Sequence, residues 1–160
     1  LKQNLNKNFF NFSKKNLPYL FLIFFIFLQI IIGAFVSGLD AGKIYQTWPY
    51  MNENYVPDDL ILKNFTDYVD FESHSLVQFY HRNLAYFITF YILILIFLTL
   101  KKNANIRIPS LIIFCILITQ VLLGIFTLIS GLNIYLASGH QITSVLLVLS
   151  ALNLYYSIIK

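Results

Sequence analysis

The chain has 160 residues, 58% of them hydrophobic and only 11% charged, with a formal net charge of +4. Soluble domains run at about 45–50% apolar and about 25% charged, so this composition excludes a soluble globule with an ordinary charged surface. The single cysteine, Cys115, excludes a disulfide or a cysteine-based metal cluster within the chain.

Residues 1–17 form a basic tail carrying Lys2, Lys7, Lys14 and Lys15. The chain opens on Leu1, and the first apolar run is too long for a signal peptide and lacks a small-residue cleavage site. The expectation is a fragment or a processed product. A membrane-spanning helix needs roughly 20 mostly apolar residues, and four segments meet that requirement: 18–36, 84–100, 109–129 and 137–159. Within hydrocarbon every backbone N–H and C=O must be satisfied inside the segment, which selects helices. The expected fold is an all-α integral membrane protein, a four-helix transmembrane bundle over residues 18–160.

Charge orients the bundle. Four alternating spans put the basic tail, Lys101, Lys102, Arg107 and Lys160 on one side. The opposite side carries the 38–80 loop, with all seven acidic residues: Asp40, Glu53, Asp58, Asp59, Asp67, Asp70 and Glu72. The Lys/Arg bias predicts both termini in the cytoplasm and the long loop outside. The net positive charge is thereby explained by topology, without nucleic-acid binding. Trp48, Pro49, Tyr50, Met51 and Tyr55 in the loop suit a lid at the interface, and equally an aromatic belt anchoring the helices.

An internal repeat links the two halves of the bundle. Gln29-Ile-Ile-Ile-Gly33-Ala-Phe35 on the first span matches Gln120-Val-Leu-Leu-Gly124-Ile-Phe126 on the third, and a Ser-Gly-Leu triplet follows each with a two-residue shift. Each copy leads through an outer loop to a helix that begins with a histidine. Gly33, Gly38, Gly124 and Gly131 allow helices or a flat ligand to approach closely.

Histidines in membrane segments are rare and usually functional. His81 and His140 stand at the outer ends of the two even-numbered spans, which enter from the same face, so both lie within about one turn of that surface. Zinc and di-iron centres require further Cys, Asp or Glu ligands, and no acidic residue lies in any span. A haem brings four nitrogens of its own and needs only two axial donors, which favours His81 and His140 as axial ligands of a haem iron. The competing reading is two interfacial histidines that only hydrogen-bond the backbone. Arg82 is placed where haem propionates would meet water, and equally where an arginine snorkels. His74 falls outside the repeat and reads as a loop residue. Gln29, Gln120 and Thr119 read as helix–helix contacts.

Three stretches then carry a resemblance. Gly33-Ala-Phe-Val-Ser-Gly-Leu-Asp-Ala-Gly42, Thr47-Trp-Pro-Tyr-Met51 and Val77-Gln-Phe-Tyr-His-Arg-Asn-Leu-Ala-Tyr86 resemble the C-terminal half of the haem A synthase family. Gln120-Val-Leu-Leu-Gly-Ile-Phe-Thr-Leu128 and Ala137-Ser-Gly-His-Gln141 continue the match in order. The long acidic and aromatic loop resembles the alphaproteobacterial and mitochondrial type. The resemblance implies one half of an eight-span, two-repeat protein of the bacterial inner membrane. Such proteins oxidise the C8 methyl of haem O to the formyl group of haem A for cytochrome c oxidase. It further implies haem b as the cofactor of this half and haem O as the substrate of the full-length enzyme. The implied partners are membrane lipid, the N-terminal half of the same protein, haem O synthase and oxidase assembly factors. The family's N-terminal half carries a Glu three residues before its first histidine, where this chain has Gln78. That departure implies an electron-transferring half with no catalytic residue of its own. The alternatives are a non-catalytic bis-histidine b-type cytochrome of another membrane complex, and a transporter or structural membrane protein without a cofactor.

Overall fold

The computed structural model describes residues 12–100 and 106–159. Four long helices follow in chain order: α1 (Leu17–Gly38), α2 (His74–Leu100), α3 (Arg107–Ile129) and α4 (Ile134–Ile159). All four are long and apolar enough to cross a membrane, and no strand occurs among the described residues. Lys14, Lys15 and Arg107 stand at the end of the bundle away from the acidic stretch, called the inner end, whereas Lys2, Lys7, Lys101, Lys102 and Lys160 lie outside the described residues.

The helix starts follow local chemistry. Pro18 occupies the first turn of α1 and Pro109 that of α3, where a missing N–H costs nothing. The Ser73 hydroxyl accepts the Leu76 N–H at 3.4 Å, and the Asn133 amide oxygen accepts the Tyr135 N–H at 3.0 Å. Each side chain thereby satisfies a donor that the first turn leaves open.

Helix α2 begins ten residues before the apolar run that predicts it, because Ser75, Leu76, Val77 and Gln78 are buried by the outer connection and stay helical at its expense. The connection therefore spans 39–73, shorter than the expected 38–80. His74 is the first residue of α2 and is exposed.

Helix α1 packs mainly on α2 and α3 mainly on α4, and the two pairs join chiefly through α1 and α4. Sequential neighbours are antiparallel, so α2 and α4 are parallel and face each other diagonally. The dry core (Leu22, Ile26, Ile92, Ile113, Leu117 and Leu154 among others) fills the inner half of the bundle. Outward faces carry Phe21, Phe24, Phe90 and Phe97, each about half exposed or more, as lipid contact requires. Packing contact, more than a hydrophobic drive between helices, holds such a bundle together. The buried hydrogen bond between the Tyr19 hydroxyl and Thr99 Oγ1 at 2.8 Å ties α1 to α2 near the inner end. Thr119 is exposed and bonds the Cys115 carbonyl of its own helix at 3.0 Å. Its hydroxyl is satisfied one turn back in its own helix, in place of the helix–helix bond expected, and the side chain can face lipid.

Candidate functional site: a histidine pair at the outer end of the bundle

The two halves of the repeat meet at the outer end. Gln29 and Gly33 are four residues apart and share one face of α1, as Gln120 and Gly124 do on α3. That face of α1 receives His81 and the matching face of α3 receives His140. A side chain begun on Gly33 would lie 3.0 Å from His81 Cε1, and one on Gly124 would lie 2.9 Å from His140 Cε1. Both glycines are therefore required by the close approach of an imidazole.

The rings of His81 and His140 stand 6.5 Å apart between centroids, with their planes 78° apart. His81 is seven residues into α2 and His140 six into α4. At 1.5 Å per residue each lies roughly two turns from the start of its helix, so the two rings sit at matching places on their parallel helices.

Each histidine is held by the odd-numbered helix beside it. Gln29 Nε2 donates to the His81 carbonyl oxygen at 2.9 Å and lies 3.1 Å from His81 Nδ1. His140 Nδ1 lies 3.1 Å from the Gln120 carbonyl oxygen, and Gln120 Nε2 is 3.5 Å from His140 Nε2. The Oε1 atoms of Gln29 and Gln120 are buried without a hydrogen-bond partner. Both glutamines cross between helices as expected, but their target is the histidine pair. The signal was present in the repeated Gln-x-x-x-Gly spacing, which places both residues on the face that meets the next helix.

Arg82 is buried and grips the outer connection. Its Nη1 donates to the carbonyls of Thr47 at 2.9 Å and Tyr50 at 3.2 Å, and its Nη2 to that of Tyr45 at 2.7 Å. Only its Nε lacks a partner. Gln78, one turn earlier, donates to the same Tyr45 carbonyl at 2.8 Å. The Tyr45 hydroxyl donates to Asp59 Oδ1 at 2.5 Å, and the Ser75 hydroxyl to Asp59 Oδ2 at 2.6 Å. Burial pushes the Asp59 carboxyl up, but the hydrogen bonds from Ser75, from Tyr45 and from the backbone outweigh it and hold the group below its ordinary value. Burial, with the Asp59 carboxylate beside it, pushes the Tyr45 phenol up. Met51 is buried, whereas Trp48, Tyr50 and Tyr55 are about half exposed. The connection is thus a fixed cover joined to α2, with Trp48, Tyr50 and Tyr55 outward and Tyr45 buried within it.

An imidazole–metal bond is about 2 Å, so two imidazoles sharing one ion along a common axis stand roughly 6 Å apart between centroids. The 6.5 Å separation suits that arrangement. Among the described residues no group of three or more His, Cys, Asp or Glu side chains comes together. The pair therefore fits a metal only if the ion brings its other donors with it.

A multi-pass helical membrane protein with two imidazoles converging from parallel helices is the class that this fold and site define. The chain belongs to the cytochrome oxidase assembly protein family (COX15-CtaA), whose model matches residues 7–152. It is 42% identical over 140 residues to a protein of Pelagibacter ubique named heme A synthase, covering 86% of this chain and 41% of the relative. A heme A synthase of Wolbachia pipientis wMel is 41% identical over 131 residues, covering 82% of this chain and 36% of the relative. For the heme A synthase of Maricaulis maris the identity is 36% over 128 residues, covering 79% and 37%. The chain thus spans about two fifths of the length of these relatives. No solved structure matches it.

Proposed function

We propose that the chain serves haem A biosynthesis as the haem b-binding, electron-transferring C-terminal half of a haem A synthase. His81 and His140 are the axial ligands. The observation that carries this reading is the convergence of two imidazoles with no third protein donor, in a chain whose relatives bear the name heme A synthase. Haem is the group that supplies the remaining donors itself. Bound there, it provides one-electron transfer.

The chain's own residues then have distinct tasks. Gly33 and Gly124 admit the imidazoles, Gln29 and Gln120 hold them, and the inner core keeps water away from one side. Arg82 fixes the cover through its Nη atoms, leaving Nε as the donor it can offer to a propionate. Gln78 is neutral, buried and occupied with the Tyr45 carbonyl, a supporting role and not that of a general base. In the full-length enzyme, oxidation of the C8 methyl of haem O to a formyl group belongs to the other half. Membrane lipid, that N-terminal half, haem O synthase and oxidase assembly factors are the partners. The charge asymmetry supports a bacterial inner-membrane location with both termini cytoplasmic.

The test is the optical spectrum of the protein purified from membranes. A low-spin bis-histidine b-type spectrum is expected, lost in His81→Ala and in His140→Ala. Its survival in both variants would overturn the assignment.

A further inference from the structure

The two histidines are not held alike, and the difference lies in whether an acceptor fixes the ring proton. A histidine that ligates a metal through one nitrogen keeps its proton on the other, where a hydrogen-bond acceptor fixes the tautomer and the ring orientation. For His140 that acceptor is already in place. Its Nδ1 faces the Gln120 main-chain carbonyl at 3.1 Å, and a carbonyl can only accept. Nδ1 therefore carries the hydrogen, and the Nε2 lone pair is the ring's free donor.

His81 is arranged the other way. Its neighbour is the Gln29 amide nitrogen, oriented by its 2.9 Å bond to the His81 carbonyl, an obligate acceptor. An amide nitrogen can only donate, and this one lies 3.1 Å from His81 Nδ1 and 3.4 Å from His81 Nε2, so Gln29 offers neither ring nitrogen an acceptor and leaves the tautomer unfixed. In this state nothing from Gln29 holds the ring proton on the nitrogen that a metal ligand must keep protonated. Gln29 also carries the remedy, since its Oε1 is buried with no partner. A carboxamide has both a donor and an acceptor, so a turn that brings Oε1 onto an Nδ1–H fixes the proton on Nδ1 and releases the Nε2 lone pair.

We infer that Gln29 is the positioning residue that sets the tautomer of His81, making it the adjustable ligand of the pair, whereas the main chain of Gln120 fixes His140. This rests on the haem-binding reading above. Gln29→Leu removes both the donor and the acceptor that face His81. Gln120→Leu removes only the long 3.5 Å contact to His140 Nε2 and leaves the carbonyl that matters.

The experiment titrates the purified protein with iron protoporphyrin IX in the ferric and ferrous states, following the Soret band. Loss of a group that orients a metal ligand costs about 10–100-fold in metal affinity, and Gln29→Leu is expected to lose that much, with Gln120→Leu, whose main-chain carbonyl remains, losing several-fold less. Gln29→Glu keeps an acceptor for Nδ1–H and adds basicity to the imidazole, so the preference for ferric over ferrous haem is expected to rise. Wild-type affinity in Gln29→Leu, or equal losses in the two leucine variants, overturns the inference. Should Gln29→Leu lose its helical circular dichroism, Gln29→Glu decides, and an unchanged ferric preference overturns it. Wild-type protein that takes up no haem overturns the haem-binding reading itself, an outcome distinct from wild-type binding with indifferent glutamine variants.

Discussion

His81 Cε1 lies 3.0 Å from the point where a side chain on Gly33 would begin, and His140 Cε1 stands in the same relation to Gly124 at 2.9 Å. Two copies of one motif thus present the same notch to the same ring. A methyl group in either notch must displace an imidazole, and overpacking of this kind costs about 1–3 kcal/mol. Gly33→Ala and Gly124→Ala are each expected to shift the low-spin spectrum and lower the thermal midpoint. Gly38, which has nothing within 4 Å of a side-chain position, tolerates Gly38→Ala in the same assay. Equal behaviour of all three variants would show that the notches do not seat the rings.

Arg82 joins three carbonyls of the connection to α2. Hydrogen bonds to a charged group contribute about 1.5–3 kcal/mol each, and Arg82→Met removes three of them, although Gln78 still reaches the Tyr45 carbonyl and the Thr47 hydroxyl that of Tyr50. Limited proteolysis is expected to cut within 39–73 much faster in this variant, with helix content retained. Unchanged cleavage would mean that the cover is held by other contacts.

The Asp59 junction gives the connection a pH dependence with a definite sign. Its carboxyl is held below the ordinary value, which is about 3.9 in an unstructured chain. The stability it contributes is present in full above that unfolded value and is lost as pH falls through the lower folded one. Cleavage within 39–73 should therefore stay flat from neutral pH to about pH 5 and rise only below about pH 4. Asp59→Asn should remove the acid-induced rise. Tyr45, pushed up, acts at the other extreme: its contribution is present below the unfolded phenol value of about 10 and lost as pH rises through the folded one.

The spans were legible in the sequence because hydrocarbon permits only one solution for a long apolar run, and the observed helices agree with the predicted segments except at the start of α2. There the amphipathic stretch 74–83 is helical because the connection covers it, a tertiary cause that hydropathy does not register. The histidine pair was legible from span parity and the repeat. The Ser-Gly-Leu triplets, by contrast, are not structural equivalents. Ser37 and Gly38 end α1 inside the helix, whereas Gly131 and Leu132 follow α3 with φ of 70° and 65°. Both odd helices end nine residues after their glutamine (38 − 29 and 129 − 120), so the glutamine sets the register and the triplet does not. The repeated Gln-x-x-x-Gly spacing put the glutamines on the right face, but which atoms they reach and Arg82's grip on the loop were not legible, because each depends on which of several possible acceptors the fold brings within reach.

The most direct test of the histidine pair as the axial ligands of one haem is low-temperature electron paramagnetic resonance of the oxidised protein. Imidazole planes 78° apart predict a strongly anisotropic low-spin ferric signal, the kind given by near-perpendicular axial imidazoles, and its replacement by a high-spin signal in His81→Ala or its loss altogether. A low-spin signal that persists unchanged in both His81→Ala and His140→Ala would contradict the account.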